Sequence, residues 1–274
     1  NFAAKAIVNL YRANQVQYSS LSNKGDWPLL GGLLLNQKQV IEADKQKNIT
    51  RTIITAFLEG TINHTREYLD LFQNGKWASI YPNELISTQY QDANALKIED
   101  FEENNYLPSL AYQDAKLKIE NSDDWSLAHT PFNRALKVSI NEGDDVIISL
   151  VLPDNFSKKA KLSSKSAFLF SLGTLTPNTI KDVSIRIVTA QGQSELLHLS
   201  NIASIPKYLP QQTFKFVKLK QNEETFFATY SIPFYLFFSS FDATPWSGLQ
   251  SISLVFPRDS QGDIFLDDIA IVTL

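Results

Sequence analysis

Two stretches decide how this chain is read: Lys97-Ile98-Glu99-Asp100-Phe101-Glu102-Glu103 and Asp263-Ile264-Phe265-Leu266-Asp267-Asp268-Ile269-Ala270-Ile271-Val272. Each predicts a strand with carboxylates set among apolar side chains. They bracket further strand-like runs near 115–120, 133–140, 145–152, 166–173, 182–189, 194–199, 213–220, 225–232 and 250–256. Turn formers such as Asn141-Glu142-Gly143-Asp144, Pro153-Asp154-Asn155 and Gln191-Gly192-Gln193 separate these runs. Many short strands with no helical period between them indicate an antiparallel sandwich, not a parallel α/β sheet. The alternation in Ser251-Ile252-Ser253-Leu254-Val255-Phe256 gives each sheet one buried face. Pairing the first strand with the last hides backbone at a sheet edge. Residues 97–274 are therefore expected to form one jelly-roll-like β-sandwich.

A carboxylate among Ile, Phe and Leu is costly unless it is paired, hydrogen-bonded or metal-bound. Glu102 with Asp267 or Asp268 is accordingly the candidate metal site, and hard oxygen ligands at strand ends suit structural Ca²⁺. The alternative is a set of solvent-facing acids with Asp267-Asp268 at a bulge.

Upstream of 97 the pattern changes. Ala3, Ala6, Ile7, Leu10, Tyr11 and Asn14 have a three-and-four spacing that predicts a short helix over 3–14, and 19–32 reads as a loop. Ile49, Ile53, Ile54, Phe57 and Leu58 fall on one helical face, with Asn48 as the expected N-cap and a break or cap near Gly60. A second short helix from about Asn63 puts Tyr68, Leu69 and Phe72 on one face and closes at Gly75. From Trp77 to Asp92 no period is visible. The expected organisation is a helical segment at 1–76, a connector at 77–96 and the sandwich at 97–274.

The 274 residues are 43% hydrophobic and 20% charged with a formal net charge of −4, which argues against nucleic acid or an anionic membrane as partner. No apolar run is long enough for a membrane span. Without Cys there are no disulfides, thiolate nucleophiles or zinc–thiolate sites. The chain begins Asn1-Phe2-Ala3-Ala4 and lacks Met, which predicts a processed product or the later part of a longer polypeptide. No Gly-x-Ser-x-Gly elbow, Walker loop or His-Glu-x-x-His occurs, and the three His, at 64, 129 and 198, are not at ligand spacing. No catalytic residue is assigned. Trp125 and Trp246, each beside loop formers, are the candidate stacking platform for a glycan or polymer; the same rings could equally fill a core.

The run Ile49-Thr50-Arg51-Thr52-Ile53-Ile54-Thr55-Ala56-Phe57-Leu58-Glu59-Gly60, followed by Tyr68-Leu69-Asp70-Leu71-Phe72, resembles the last helices of secreted bacterial α/β-hydrolases of the dienelactone hydrolase and platelet-activating-factor acetylhydrolase type. His129-Thr130-Pro131-Phe132-Asn133-Arg134 resembles the opening of a β-sandwich appended to some of them, and Phe265-Leu266-Asp267-Asp268-Ile269 extends the likeness to the end. The family's nucleophile, acid and His all lie upstream of its last helices, so no catalytic residue carries over. The resemblance implies the C-terminal part of a secreted, periplasmic or cell-surface serine hydrolase acting on ester or acyl bonds. This chain would be inactive alone, and its helical segment would pack on a hydrolase sheet lying elsewhere. The alternative is a non-catalytic carbohydrate- or polymer-binding sandwich with structural Ca²⁺.

Overall fold

The computed structural model of the chain describes residues 4–18, 40–82, 86–102, 109–111, 115–121, 134–141, 143–153, 156, 160–174, 180, 182–205, 226–237 and 248–273. The strand-like run at 213–220 and His129 lie outside these.

The first element corrects an expectation. Ala4–Leu10 is a strand, β1, not a helix, and it pairs antiparallel with β2 (Ile86–Asp92), from Ala4 opposite Asp92 to Leu10 opposite Ile86. The same residues carry a period of two, with Ala4, Ala6, Val8 and Leu10 all packed into one apolar cluster. Tertiary packing selected that period over the helical one. β2 lies within the stretch read as a connector.

Helix α1 runs Ala43–Thr61 and buries Ile49, Ile53, Ala56 and Gly60. It starts well before Asn48, which is exposed inside the helix, and Glu42 occupies the N-cap position. Gly60 does not break it. A Cβ there would sit 2.5 Å from Leu69 Cδ2, so the glycine allows the next helix, α2 (Arg66–Leu69), to lie against α1. A 3₁₀ turn at Asp70–Phe72, Gly75 with a φ of 61° and a short helix α3 (Trp77–Ile80) complete this layer.

The sandwich comprises β3 (Leu96–Glu99), β4 (Ser109–Ala111), β5 (Ala115–Asn121), β6 (Arg134–Ile140), β7 (Val146–Val151), β8 (Ser166–Thr174), β9 (Ser184–Thr189), β10 (Gly192–Gln193), β11 (Leu197–His198), β12 (Phe226–Pro233), β13 (Leu249–Phe256) and β14 (Gly262–Thr273). One antiparallel sheet is ordered β10-β9-β13-β7-β4, with β11 added on β9. The other is ordered β12-β8-β14-β6-β5, with β3 added on β14. The expected pairing of first strand with last is present: Ile269 faces Glu99 and Ile271 faces Leu96. Between the sheets lies one core, including Leu136, Ile148, Phe170, Ile187, Leu254 and Leu266, all at most 1% exposed. The fold is mainly β, an antiparallel sandwich preceded by a small helical segment.

That segment covers the outer face of the second sheet. Ala167, Leu169, Ala270 and Val272 of the sheet share a cluster with Ile49, Ile53, Phe72, Trp77 and Tyr90. The free edge of β12 is covered by side chains of this segment, Asn74 and Ser87 among them. Asn74 Oδ1 accepts from the backbone N–H of Ser231 at 2.8 Å, and its Nδ2 donates to the Ser231 carbonyl at 2.9 Å. The Asn74 N–H also donates to the Thr229 carbonyl. An otherwise open row of backbone donors and acceptors is thereby satisfied.

Candidate functional site

The carboxylates singled out in the sequence gather where β3 ends against the bulge of β14. The register of β14 on β8 shifts between Asp267 and Ala270, and Asp268 takes a positive φ of 51°. Asp267 is 2% exposed, and its Oδ1 accepts from the Asp268 N–H at 2.8 Å. Asp268 Oδ1 accepts from Gln91 Nε2 at 2.6 Å. Burial pushes the Asp268 carboxyl above the ordinary carboxylate range; Asp100 and Glu102 add to the rise, against the Gln91 hydrogen bond and Lys5. Glu102 is also raised, first by burial. Its Oε1 accepts from the Arg134 N–H at 2.8 Å, while Arg134 Nη1 donates to the Glu102 carbonyl. Phe101 between Asp100 and Glu102 is fully buried with a φ of 58°. The structure thus brings Asp100, Glu102 and Asp268 into one neighbourhood and turns Asp267 back onto its own backbone. Among the described residues no group of three or more such side chains is close enough to hold a metal ion.

A second arrangement has the residue types of a hydrolytic triad without its geometry. Ser184 Oγ is 3.0 Å and Asp182 Oδ2 is 2.8 Å from His198, but both meet the same ring nitrogen, Nδ1. A proton relay needs the nucleophile and the orienting acid on opposite ring nitrogens of the histidine, which is the base. Asp182 Oδ1 instead accepts from the backbone N–H groups of Val183 and Ser200, so the trio pins β9 to β11.

The third place is a cavity of about 180 Å³ between the end of α1, α2 and β2. Gly60 and Thr61 form one wall, because α2 closes on the glycine. His64, held at a positive φ of 55°, and Arg66 stand exposed at the rim with Asn94. Asp70, ion-paired with Lys76 at 3.6 Å, and Asp92 also line the cavity. Tyr90, 2% exposed, lies within hydrogen-bond reach of Asp92 Oδ2 at 3.4 Å; burial first and Asp92 second push its phenol well up, so it remains a donor. Asp92 Oδ1 accepts from the Asn94 N–H at 2.8 Å.

Gln73 sets this cavity apart. It lines the wall at 6% exposure. Two other amides of the layer show what its side chain lacks. Fully buried Gln46 accepts from the Asn14 N–H and donates to the Asn14 carbonyl, both at 2.8 Å, and Asn74 does the same to Ser231. Among the described residues the side chain of Gln73 has no hydrogen bond. Nor have His64 or Arg66 at the rim. The fully enclosed side-chain atoms without a partner among the described residues are Gln17 Oε1, Trp77 Nε1 and Ser260 Oγ; the Gln73 amide instead stays accessible through the cavity and is open to a ligand there.

A separate apolar cleft of about 360 Å³ lies between β1 and α1, lined by Ala6, Val8, Leu10, Ile53, Phe57 and Leu58 among others. The two predicted stacking residues, Trp125 and Trp246, lie outside the described residues. No spacing in the sequence signalled the cavity; of its rim only His64 stood out, and only as one of three histidines.

No protein-family model and no curated protein sequence matches the chain. Solved structures do. They are chiefly carbohydrate-binding modules. The family 11 carbohydrate-binding module of the cellulosomal cellulase Lic26A-Cel5E of Clostridium thermocellum is 14% identical, over 67% of this chain and 97% of its own, with a TM-score of 0.41. A family 30 carbohydrate-binding module is 10% identical, over 66% of this chain and 99% of its own, with a TM-score of 0.44. An exo-β-agarase is 11% identical, over 66% of this chain and 26% of its own, with a TM-score of 0.39. At these values the fold rests on the strand pairing above, and no function follows from the likeness.

Proposed function

We propose that this chain is a non-catalytic carbohydrate-binding protein built on a β-sandwich. The observation that carries the reading is the cavity at Gln73. It offers buried and exposed hydrogen-bonding groups with no partner, and beside them no activated nucleophile. Asp182, Ser184 and His198, the nearest approach to a catalytic constellation among the described residues, meet on one nitrogen and do structural work. Donors and acceptors in a small cavity suit hydroxyl groups, which are both. The same proposal places the chain outside the cytoplasm, secreted, periplasmic or at the cell surface. The test is electrophoresis through native gels containing mixed-linkage β-glucan, xylan or agarose. Retardation by at least one polymer is expected, and unchanged mobility in all of them would sink the reading.

Structural Ca²⁺ at Glu102 with Asp267 or Asp268 belongs to the same proposal; because no three such side chains among the described residues are close enough to form a site by themselves, backbone carbonyls and water would have to complete it. What supports it is donor chemistry: Glu102 and Asp268 are both raised, first by burial and then by neighbouring carboxylates, and a divalent cation would relieve that repulsion. An ion that binds only the folded state raises Tm by mass action. The rise should vanish in Asp268→Ala and Glu102→Ala; a Tm indifferent to saturating Ca²⁺ removes the metal.

One observation favours a second reading, the tail of an α/β-hydrolase. Ile54 and Leu58 of α1, 53% and 46% exposed, line the apolar cleft, and Ile62 just past the helix end is 66% exposed, so a further layer could pack there. A coding sequence upstream of Asn1 with a strand–Gly-x-Ser-x-Gly–helix unit would support it. A clean monomer at high concentration would count against an uncovered face.

A further inference from the structure

We infer that the Gln73 cavity takes a single terminal ring of a neutral sugar, end-on. The inference rests on the carbohydrate-binding reading and narrows it to a ligand class and a mode of entry. Size comes first: at about 180 Å³ the cavity falls below the roughly 300–1,000 Å³ of pockets for drug-sized molecules, which leaves room for one ring. Shape sets the direction of entry. Gln73 and Tyr90 are buried while His64, Arg66 and Asn94 are exposed, so a ligand enters from one side and a polymer presents its end, not its middle.

Charge selects neutrality. Arg66 has no ion pair among the described residues, which disfavours a cationic ligand at its side. Asp70 and Asp92 also line the cavity, so an anion drawn to Arg66 would meet two carboxylates, of which Asp70 alone is ion-paired among the described residues, with Lys76 at 3.6 Å. A neutral ring bearing hydroxyls satisfies all of them. It accepts from Arg66 and the Gln73 amide, and donates to Asp92 and the Gln73 carbonyl oxygen. The Tyr90 phenol, kept protonated and directed at Asp92, holds that carboxylate in place.

Saturation-transfer NMR on the full chain tests this with D-glucose, D-galactose, D-mannose and D-xylose, and with acetate, inorganic phosphate and tetramethylammonium as ionic probes. Transfer to at least one neutral sugar is expected, weakened about tenfold in apparent affinity by Gln73→Ala and by Arg66→Ala, and unchanged in His198→Ala. Thermal melts of the variants show whether each is folded, and Asn94→Ala at the exposed rim supplies a second probe should Gln73→Ala unfold. Transfer to the ionic probes alone, to no probe, or to sugar undiminished in the Gln73, Arg66 and Asn94 variants would overturn the inference. Gel retardation by polysaccharide separates the two readings: retardation without monosaccharide transfer overturns the end-on pocket and leaves carbohydrate binding standing, whereas loss of both overturns both.

Discussion

The two halves of this molecule are held together by different physics. Between the sheets of the sandwich the core is apolar, with Phe168, Phe170 and Tyr230 stacked at 5.2 and 5.4 Å; the one polar tip, the Tyr230 hydroxyl, donates to the Ser204 carbonyl. The layer formed by β1, β2 and the helices has a smaller apolar cluster and adds directed hydrogen bonds. Gln46 grips Asn14, Asn74 grips Ser231, Thr88 donates to the Phe72 carbonyl and the Tyr90 N–H donates to Thr229. Ser87 donates to the Phe227 carbonyl as well. Burial is non-directional and fills space, whereas amide pairs fix position but require every partner to be present. The layer can thus hold open a polar cavity that a close-packed core could not, and the Gln73 amide lines it; another amide oxygen, Gln17 Oε1, is buried away from it without a partner among the described residues.

Substitutions sharpen this contrast. The largest loss is expected in the sandwich: Phe170→Ala removes a fully buried ring and should cost about 3–5 kcal/mol in urea unfolding. A loss below about 1 kcal/mol would mean that the sheets do not share a close-packed core. In the layer, Asn74→Ala and Gln46→Leu each strand a backbone donor and acceptor, and about 1–3 kcal/mol is expected for each by the same measurement. If neither variant shifts the midpoint, the amide grips do not hold the layer.

The acidic corner gives a smaller effect with a definite pH dependence. Folding raises the Asp268 carboxyl above its ordinary value of 3.8, chiefly through burial. The folded form then binds its proton more tightly than the unfolded chain does, so the group's contribution to stability is present below the unfolded pKa and is lost as pH rises through the folded one. Asp268→Asn keeps an acceptor for Gln91 and tolerates the positive φ. Without added Ca²⁺ it should raise Tm at pH 7, and the gain should fade as pH drops below about 4, the unfolded carboxylate value. A variant less stable than the parent at pH 7 in the absence of metal would contradict the burial account. The smallest effect is Gln73→Leu. Exchanging an unpaired amide for an apolar side chain of similar shape should leave stability within about 0.5 kcal/mol or raise it, in contrast to Gln46→Leu. A loss as large as that of Gln46→Leu would show that Gln73 is already satisfied.

Much of the sandwich was legible in the sequence because its strands are short apolar runs set between turn formers. Ser251–Phe256 alternates and Asp263–Val272 is a nearly continuous apolar run, yet both are buried on both faces over most of their length, so the one-sided burial expected from alternation does not hold there; pairing of first strand with last followed from the need to hide an edge. β1 was misread because Ala3, Ala6, Ile7 and Leu10 satisfy a helical spacing while Ala4, Ala6, Val8 and Leu10 satisfy a strand, and only the partner decides. That partner, Ile86-Ser87-Thr88-Gln89-Tyr90-Gln91-Asp92, is too polar to announce itself; its Thr88 and Tyr90 are buried by the helices and by β12. In the acidic corner, the closeness of Glu102 and Asp268 was legible, whereas the part played by Asp100 was not singled out and the inward turn of Asp267 depends on a bulge. The Gln73 cavity left no trace. An amide unpaired in a fold is indistinguishable in sequence from one that is paired, and its neighbours come from four separate segments between Gly60 and Asn94.

The most direct measurement is a ¹H–¹⁵N correlation spectrum of the whole chain followed through a titration with the neutral monosaccharides. Concentration-dependent shifts centred on the amides of Gly60, His64, Gln73, Tyr90 and Asn94, with the strands of the sandwich little moved, are what a binding layer carried on a structural sandwich predicts. Shifts confined to the faces of the sandwich sheets, with those five amides unmoved at saturation, would contradict it.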